Sequence, residues 1–211
     1  MATNTPVRQI HPVYDRTDKQ LTYREQMDRF NAAMKYGFYL EAIMIDYACM
    51  EDRLRSMLYY LGVLESESDF KVTGSSKRVK CFREILHTYI DPKANMSIAS
   101  ITGKRDIVRS IFMMVNEDKT PSADDKQKRL LWTTLHDTER ASAILHLLDE
   151  IEEWCKYRNE TVHCLLNKNI DSLYEQIRQQ ATKGHVLFRE LNNQVRWVKR
   201  KRLRGKIQLA P

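Results

Sequence analysis

The chain has few of the residues that interrupt regular structure. Glycine occurs 6 times and proline 5 times among 211 residues, and both are confined to a few short stretches. Because β-sandwiches and barrels need many turns, this scarcity argues against them and favours long helices. No segment of useful length alternates between apolar and polar residues as a half-buried strand would.

The sequence also lacks the patterns of several common sites. It contains no GxxxxGK[ST], GxGxxG or HExxH motif, which removes the usual phosphate-binding loops and zinc proteases. No CxxC pair or Cys/His cluster at zinc-ligand spacing occurs, so we expect no metal site and no cofactor. We interpret the cysteines as buried or half-buried free thiols; they are Cys49, Cys81, Cys155 and Cys164.

Long apolar runs are missing as well. No stretch near the length of a membrane span is apolar throughout, and no signal peptide is recognisable at the first residues. We therefore expect a cytoplasmic protein without membrane contact.

What the chain does contain is helical periodicity. The clearest pattern covers residues 38–61, where apolar residues recur at a spacing of three to four. Further helical patterns cover 77–90, 105–115, 122–135, 138–165 and the residues from Asp171 onward. A break is expected near Gly103, and Asp137 or Thr138 is expected to cap the helix at 138–165. These patterns predict an all-α, up-and-down helical bundle with a long helix near the C-terminus. The expected organisation is a loose N-terminal arm at 1–20, the bundle at 21–195 and a basic C-terminal extension at 196–211.

Positive charge is concentrated at one end. The net charge is +7, and residues 196–206 read RWVKRKRLRGK without an acid. Such a segment can follow a nucleic-acid backbone, and its indole can stack on a base; a solvated end without a partner is the alternative. The candidate RNA-binding residues are Arg196, Trp197, Lys199, Arg200, Lys201, Arg202 and Arg204.

The last long pattern contains a polar interruption. Arg158 occupies a position of the apolar stripe, where a guanidinium is costly to bury unless an acid, a phosphate or a partner meets it. Asn159 and His163 are four residues apart and share a face. Arg158 and His163 are five apart, which is about 140° around a helix. Either the helix bends, or a second copy of the chain completes the site.

The residues Arg158-Asn159-Glu-Thr-Val-His163 resemble the signature of the HEPN superfamily (higher eukaryotes and prokaryotes nucleotide-binding). That signature is an arginine, a polar residue and a histidine after a gap of four to six. The helix at 38–61 also resembles the family's early helix with acidic and basic residues, here Glu41, Asp46, Glu51, Arg53 and Arg55.

The resemblance implies a homodimeric helical bundle whose two motifs face each other. It implies a metal-independent endoribonuclease that cleaves single-stranded RNA, in toxin–antitoxin, abortive-infection or CRISPR-linked phage defence, with a possible antitoxin or regulatory partner. One branch of the family carries a modified tyrosine two residues after the histidine. Leu165 occupies that position here, so control by adenylylation at this site is not expected.

The candidate residues suit this chemistry. Imidazole titrates near neutral pH and can exchange a proton with the 2′-hydroxyl or the leaving oxygen. A guanidinium matches two phosphate oxygens, and Asn159 could fix either group. The catalytic candidates are therefore Arg158, Asn159 and His163.

Two further interpretations stay open. In one, Arg158 pairs with Glu153 or Glu160 and His163 is a structural histidine. In the other, the chain is a non-catalytic helical module that binds RNA or a protein through its basic end, or a dimerisation subunit without nucleic-acid contact.

Overall fold

The computed structural model describes residues 16–67, 69, 72, 76–117, 119–164, 170–203 and 205. These residues form helices, and no strand occurs among them, which confirms the all-α bundle. The helices are α1 (Arg16–Tyr36), α2 (Tyr39–Tyr60), α3 (Lys77–Tyr89), α4 (Ile101–Asn116), α5 (Lys126–Leu135), α6 (Thr138–Cys164) and α7 (Ile170–Arg200).

Four helices form a closed ring. α2 packs on α4, α4 on α6, α6 on α7, and α7 back on α2 along the most extensive contact of the fold. α1 covers α2, while α3 and α5 pack on α4 and on each other. The apolar faces meet in one core, so α2 and α6 are each packed against at least two neighbours.

Side-chain caps determine where several helices begin. The hydroxyl of Ser76 accepts a hydrogen bond from the Val79 amide at 3.3 Å, so α3 starts directly after it. Asp137 accepts from the Arg140 amide at 3.0 Å and precedes α6, as the sequence predicts. At the end of α1 the chain turns through Gly37, whose φ of 79° favours glycine.

Two boundaries differ from those expected. Gly103 was predicted to lie at a break, yet it belongs to the first turn of α4. A Cβ there would meet the carbonyl oxygen of Ser97, so the glycine permits a close approach rather than a turn. The helix expected from residue 122 begins at Lys126, because Asp125 supplies the cap by accepting from the Lys128 amide at 3.1 Å.

The ends of the bundle also lie outside the predicted limits. α1 begins at Arg16, so residues 16–20 belong to a helix and not to an arm; residues 1–15 lie outside the described residues. At the other end α7 extends to Arg200, and Trp197, Val198 and Leu203 are buried in the core. Residues 196–203 are therefore part of the bundle, because their apolar side chains continue the buried stripe of α7.

The close contact between α6 and α7 depends on Gly184, which has no side chain beyond hydrogen. The indole of Trp154 is 1% exposed and donates from Nε1 to the carbonyl oxygen of Gln180 at 2.9 Å. A Cβ on Gly184 would lie 2.6 Å from Cζ2 of that ring. The glycine thus allows α7 to approach the largest buried side chain of the fold.

We expect Gly184→Ala to destabilise the protein by about 1–3 kcal/mol, because overpacking against Trp154 outweighs the gain in helix propensity. Urea unfolding followed by circular dichroism measures the change. Gly205→Ala is the matched control, since no atom of a non-adjacent described residue lies within 4 Å of its added methyl group. Equal stability of the two variants would contradict this account of the α6–α7 contact.

Candidate functional site

The side chain of Arg158 extends from α6 onto α2. Its guanidinium carbon lies 4.1 Å from the centroid of the Tyr47 ring, a distance typical of a cation–π contact. Nη2 donates to Sδ of Met44 at 3.4 Å, and Nη1 donates to Oδ1 of Asn159 at 2.7 Å. Nε is buried and has no hydrogen-bond partner among the described residues.

The groups that contact the Arg158 guanidinium are uncharged. Glu153, one of the predicted partners, is bound to Lys156 at 2.8 Å. No carboxylate in the described part of the chain lies within ion-pair distance of the Arg158 guanidinium. The positive charge is held in place by a ring, a sulfur and an amide, and no carboxylate among the described residues forms an ion pair with it.

The other two motif residues face solvent. Asn159 and His163 are exposed, and Asn159 is bonded to Arg158. The imidazole of His163 has no hydrogen bond to any described residue. Within one subunit, therefore, the arginine lies against α2, whereas the histidine is presented outward near the end of α6.

A cavity of about 280 Å³ opens beside Arg158, between the first half of α2 and the end of α6. Its walls are almost entirely apolar. The lining side chains are Leu40, Glu41, Ile43, Met44, Arg158, Thr161 and Val162.

Exposed apolar side chains gather around this cavity. Met44 and Val162 are 46% and 42% exposed and belong to its lining. Tyr36 and Phe38 are exposed in the turn before α2, and Tyr174 packs against Gly37 in that turn. These five side chains, which we call the apolar patch, are five of the seven exposed large hydrophobic residues that the structure describes. A concentration of this kind marks an interaction surface.

Ion pairs from α4 hold α2 and α6, the two helices that line the cavity. The ammonium of Lys104 is 0% exposed and lies 2.6 Å from a carboxylate oxygen of Glu51 on α2. Arg105 contacts Glu152 on α6 at 3.3 Å, and Arg109 contacts the same carboxylate at 3.1 Å. Cross-links from one helix to two neighbours set the spacing between α2 and α6.

Most charged residues of the early helix serve such packing. Glu51 binds Lys104, and Arg53 donates from Nε to the hydroxyl of Tyr23 at 2.7 Å. Arg55 is half-buried, and Asp46 is enclosed between α2 and α7. Glu41 is the member that reaches the cavity beside Arg158.

Asp46 and His185 form a buried pair between α2 and α7. Asp46 is 0% exposed, and its Oδ1 lies 3.4 Å from Nδ1 of His185, while Oδ2 has no partner among the described residues. Burial raises the pKa of Asp46 to about 8. Burial, followed by the nearby Arg189, lowers the pKa of His185. At neutral pH the pair is a protonated carboxyl beside a neutral imidazole, which agrees with a contact longer than a charge-assisted hydrogen bond.

The basic end of the chain divides into exposed and buried groups. Arg196, Lys199, Arg200 and Arg202 are exposed and Lys201 is partly buried, whereas Trp197 is 9% exposed. The guanidinium of Arg140 and the ammonium of Lys201 lie 5.2 and 4.8 Å from the Trp197 ring. A ring so enclosed leaves no free face for a base. Arg204 lies outside the described residues.

The two predicted sets of residues do not meet. Arg140, beside Trp197, stands 18 residues before Arg158 on α6, which corresponds to about 27 Å along a helix. The exposed cations of α7 therefore lie at the opposite end of the bundle from the motif.

The thiols are free and buried at Cys49, Cys81 and Cys155, as predicted; the side chain of Cys164 is outside the described part. Burial raises the pKa of Cys155 to about 11. Among the described residues, no group of three or more His, Cys, Asp or Glu is placed to hold a metal ion. No helix in that part of the chain is both long and apolar enough to span a membrane.

Comparison of the chain with models of protein families, with curated proteins and with solved structures finds no match. The resemblance of the Arg158–His163 segment to the HEPN signature thus stays a prediction that rests on the motif and its surroundings.

The sequence did not predict which side chains contact Arg158. Tyr47 and Met44 lie within the helical pattern at 38–61, and nothing in their spacing connects them with Arg158. The depth of Asp46 was missed too, because a carboxylate in a mixed stripe usually faces solvent.

We expect Asp46→Asn to become more stable than the parent as pH rises. The folded pKa of about 8 exceeds the ordinary value of 3.8 for an aspartate carboxyl. The folded state therefore binds the extra proton between these values, and the parent loses up to about 1.4 kcal/mol per pH unit there. The stability difference between variant and parent should grow from pH 5 to pH 8 and then level off, as measured by thermal and urea unfolding.

Asp52→Asn provides a control of opposite sign. Burial alone would raise the pKa of Asp52, but Lys19, Tyr23 and Arg53 outweigh it and lower that pKa. This variant should lose stability at neutral pH and recover relative to the parent in acid. Parallel pH profiles for the two variants would contradict the assignment of Asp46 as a protonated buried acid.

Proposed function

We propose that the chain is a homodimeric endoribonuclease of the HEPN type, which cleaves single-stranded RNA without a metal ion. The observation that carries the proposal is the Arg158 guanidinium, which is fixed by Tyr47, Met44 and Asn159 yet has no carboxylate partner among the described residues. A buried or half-buried cation held in this way favours an anion brought by a ligand.

The proposed reaction is attack by a ribose 2′-hydroxyl on its own 3′-phosphate. The 2′-oxygen forms a bond to phosphorus, the bond from phosphorus to the 5′-oxygen breaks, and a proton moves from the first oxygen to the second. His163 would accept or supply that proton, and Arg158 would stabilise the charge of the phosphorane. The products are a 2′,3′-cyclic phosphate and a 5′-hydroxyl.

In the proposed dimer, the two subunits together place Arg158 and His163 side chains around one phosphate. Arg158 lies against α2 and His163 is exposed near the end of α6, so a single copy does not direct both groups at one phosphate. The apolar patch of Tyr36, Phe38, Met44, Val162 and Tyr174 borders the same region. A two-fold contact through Tyr36, Phe38 and Tyr174 of this patch would leave the cavity lined by Met44 and Val162 open. It would bring two motifs together and provide one imidazole as base and another as acid.

A second candidate is suggested by the other end of the molecule. Arg196, Lys199, Arg200 and Arg202 are exposed within two turns of chain, and their density favours an RNA backbone. In that case the protein would bind RNA without cleaving it. Its binding would weaken steeply with salt and with Lys199→Glu and Arg200→Glu.

We expect the purified protein to cleave a labelled single-stranded RNA in the presence of a chelator. His163→Ala should lower the rate by at least about 10²-fold, and Arg158→Ala by about 10²–10³-fold. Gel analysis of the 2′,3′-cyclic ends identifies the reaction, and sedimentation measures the dimer.

The matched controls are His146→Ala and Arg178→Ala. His146 is an exposed histidine on the same helix, and Arg178 is an exposed arginine paired with Glu175 at 3.4 Å. Both should retain full activity. Cleavage that persists in Arg158→Ala and His163→Ala would rule out the proposed site, and RNA binding without cleavage by the parent would favour the second candidate.

A further inference from the structure

The cavity beside Arg158 combines two kinds of surface. Leu40, Ile43, Met44 and Val162 give it apolar walls, and Arg158, whose guanidinium has no ion-paired carboxylate among the described residues, lies beside it. A ligand that satisfies both must carry an apolar or aromatic group next to an anion. A volume of about 280 Å³ lies just below the usual range of pockets for drug-sized molecules, which suits one small planar group.

We propose that this cavity is a nucleobase subsite, which receives one base of the RNA strand while the adjoining phosphate lies on Arg158. The inference rests on the proposed function and adds a determinant of substrate preference. The base would be held by contact with apolar side chains, as bases are in other single-strand binding sites. The cation would bind the phosphate by charge-assisted hydrogen bonds.

Glu41 gives the subsite a chemical preference. Its exposed side chain belongs to the lining of a cavity whose walls are almost entirely apolar, so we infer that its carboxylate lies at the mouth of the cavity. A carboxylate only accepts hydrogen bonds. Adenine, cytosine and guanine each carry an exocyclic amine that can donate to it. Uracil instead presents carbonyl oxygens on either side of its one N–H group, and these repel the carboxylate. The subsite should therefore discriminate against uridine.

Binding to RNA that cannot be cleaved tests this inference separately from catalysis. The probes are 2′-O-methylated hexauridine, the same strand with a single adenosine, cytidine or guanosine, and a strand with one abasic residue. Fluorescence anisotropy should show roughly tenfold tighter binding of the strands with an amine-bearing base than of hexauridine, the value expected for one hydrogen bond to a charged group. Glu41→Gln should remove this difference, because its amide can donate to a uracil oxygen as well as accept from an amine, and it should raise the affinity for hexauridine.

Val162→Phe fills the cavity, and it should lower the affinity of the protein for every strand to its affinity for the strand with the abasic residue. Val186→Phe is its matched control, because Val186 is an exposed valine on α7 that does not line the cavity. Thermal unfolding and sedimentation of both variants establish that they fold and whether they remain dimeric.

Three results would overturn the inference: equal affinity for all strands, unchanged preference in Glu41→Gln, or conversion of Val162→Phe to a monomer, which would assign the cavity to a second copy. Adenosine monophosphate alone should bind much more weakly than the adenosine-containing strand, and equal affinities would assign the cavity to a free nucleotide. Absence of cleavage by the parent protein would refute the proposed function but would leave the base preference to be decided by these titrations.

Discussion

The enclosure of α2 by three other helices is the constraint on which the rest of the structure depends. Beyond Ala48 none of its residues is exposed, so each polar group on it must meet a partner or pay the cost of burial. Glu51 meets Lys104 of α4, and Asp46 meets His185 of α7. These contacts orient α2 and thereby present Met44 and Tyr47 to the end of α6.

The partners of the cationic side chains distinguish residues that serve packing from the residue assigned to the candidate site. Lys104, Arg105 and Arg109 all face carboxylates on a neighbouring helix, so their charges are neutralised within the fold. Arg158, on α6, meets a ring and a sulfur instead. This difference in electrostatic environment is the reason to assign Arg158 to a ligand and the others to structure.

The bundle could be predicted because its signals are local. Apolar spacing located α2, α3 and α6 to within a residue or two, and Asp137 caps its helix as expected. Gly103 misled the prediction, because glycine marks both a helix break and a close backbone contact, and only the position of Ser97 distinguishes the two. Residues 196–203 were separated from the bundle because their charges concealed the three apolar residues that reach the core.

The sequence by itself determined the helices and the presence of Arg158, Asn159 and His163 on the last turns of one of them, because both follow from spacing along the chain. Only the tertiary structure decided that Arg158 rests on Tyr47 with no ion-paired acid among the described residues, that Trp197 is covered and that Asp46 is buried. Those facts depend on which helices are neighbours. Met44 and Arg158 are far apart in the sequence, and no local pattern around either residue indicates that they are in contact. Packing of the core selects the neighbours, and the neighbours determine the chemistry of each polar side chain.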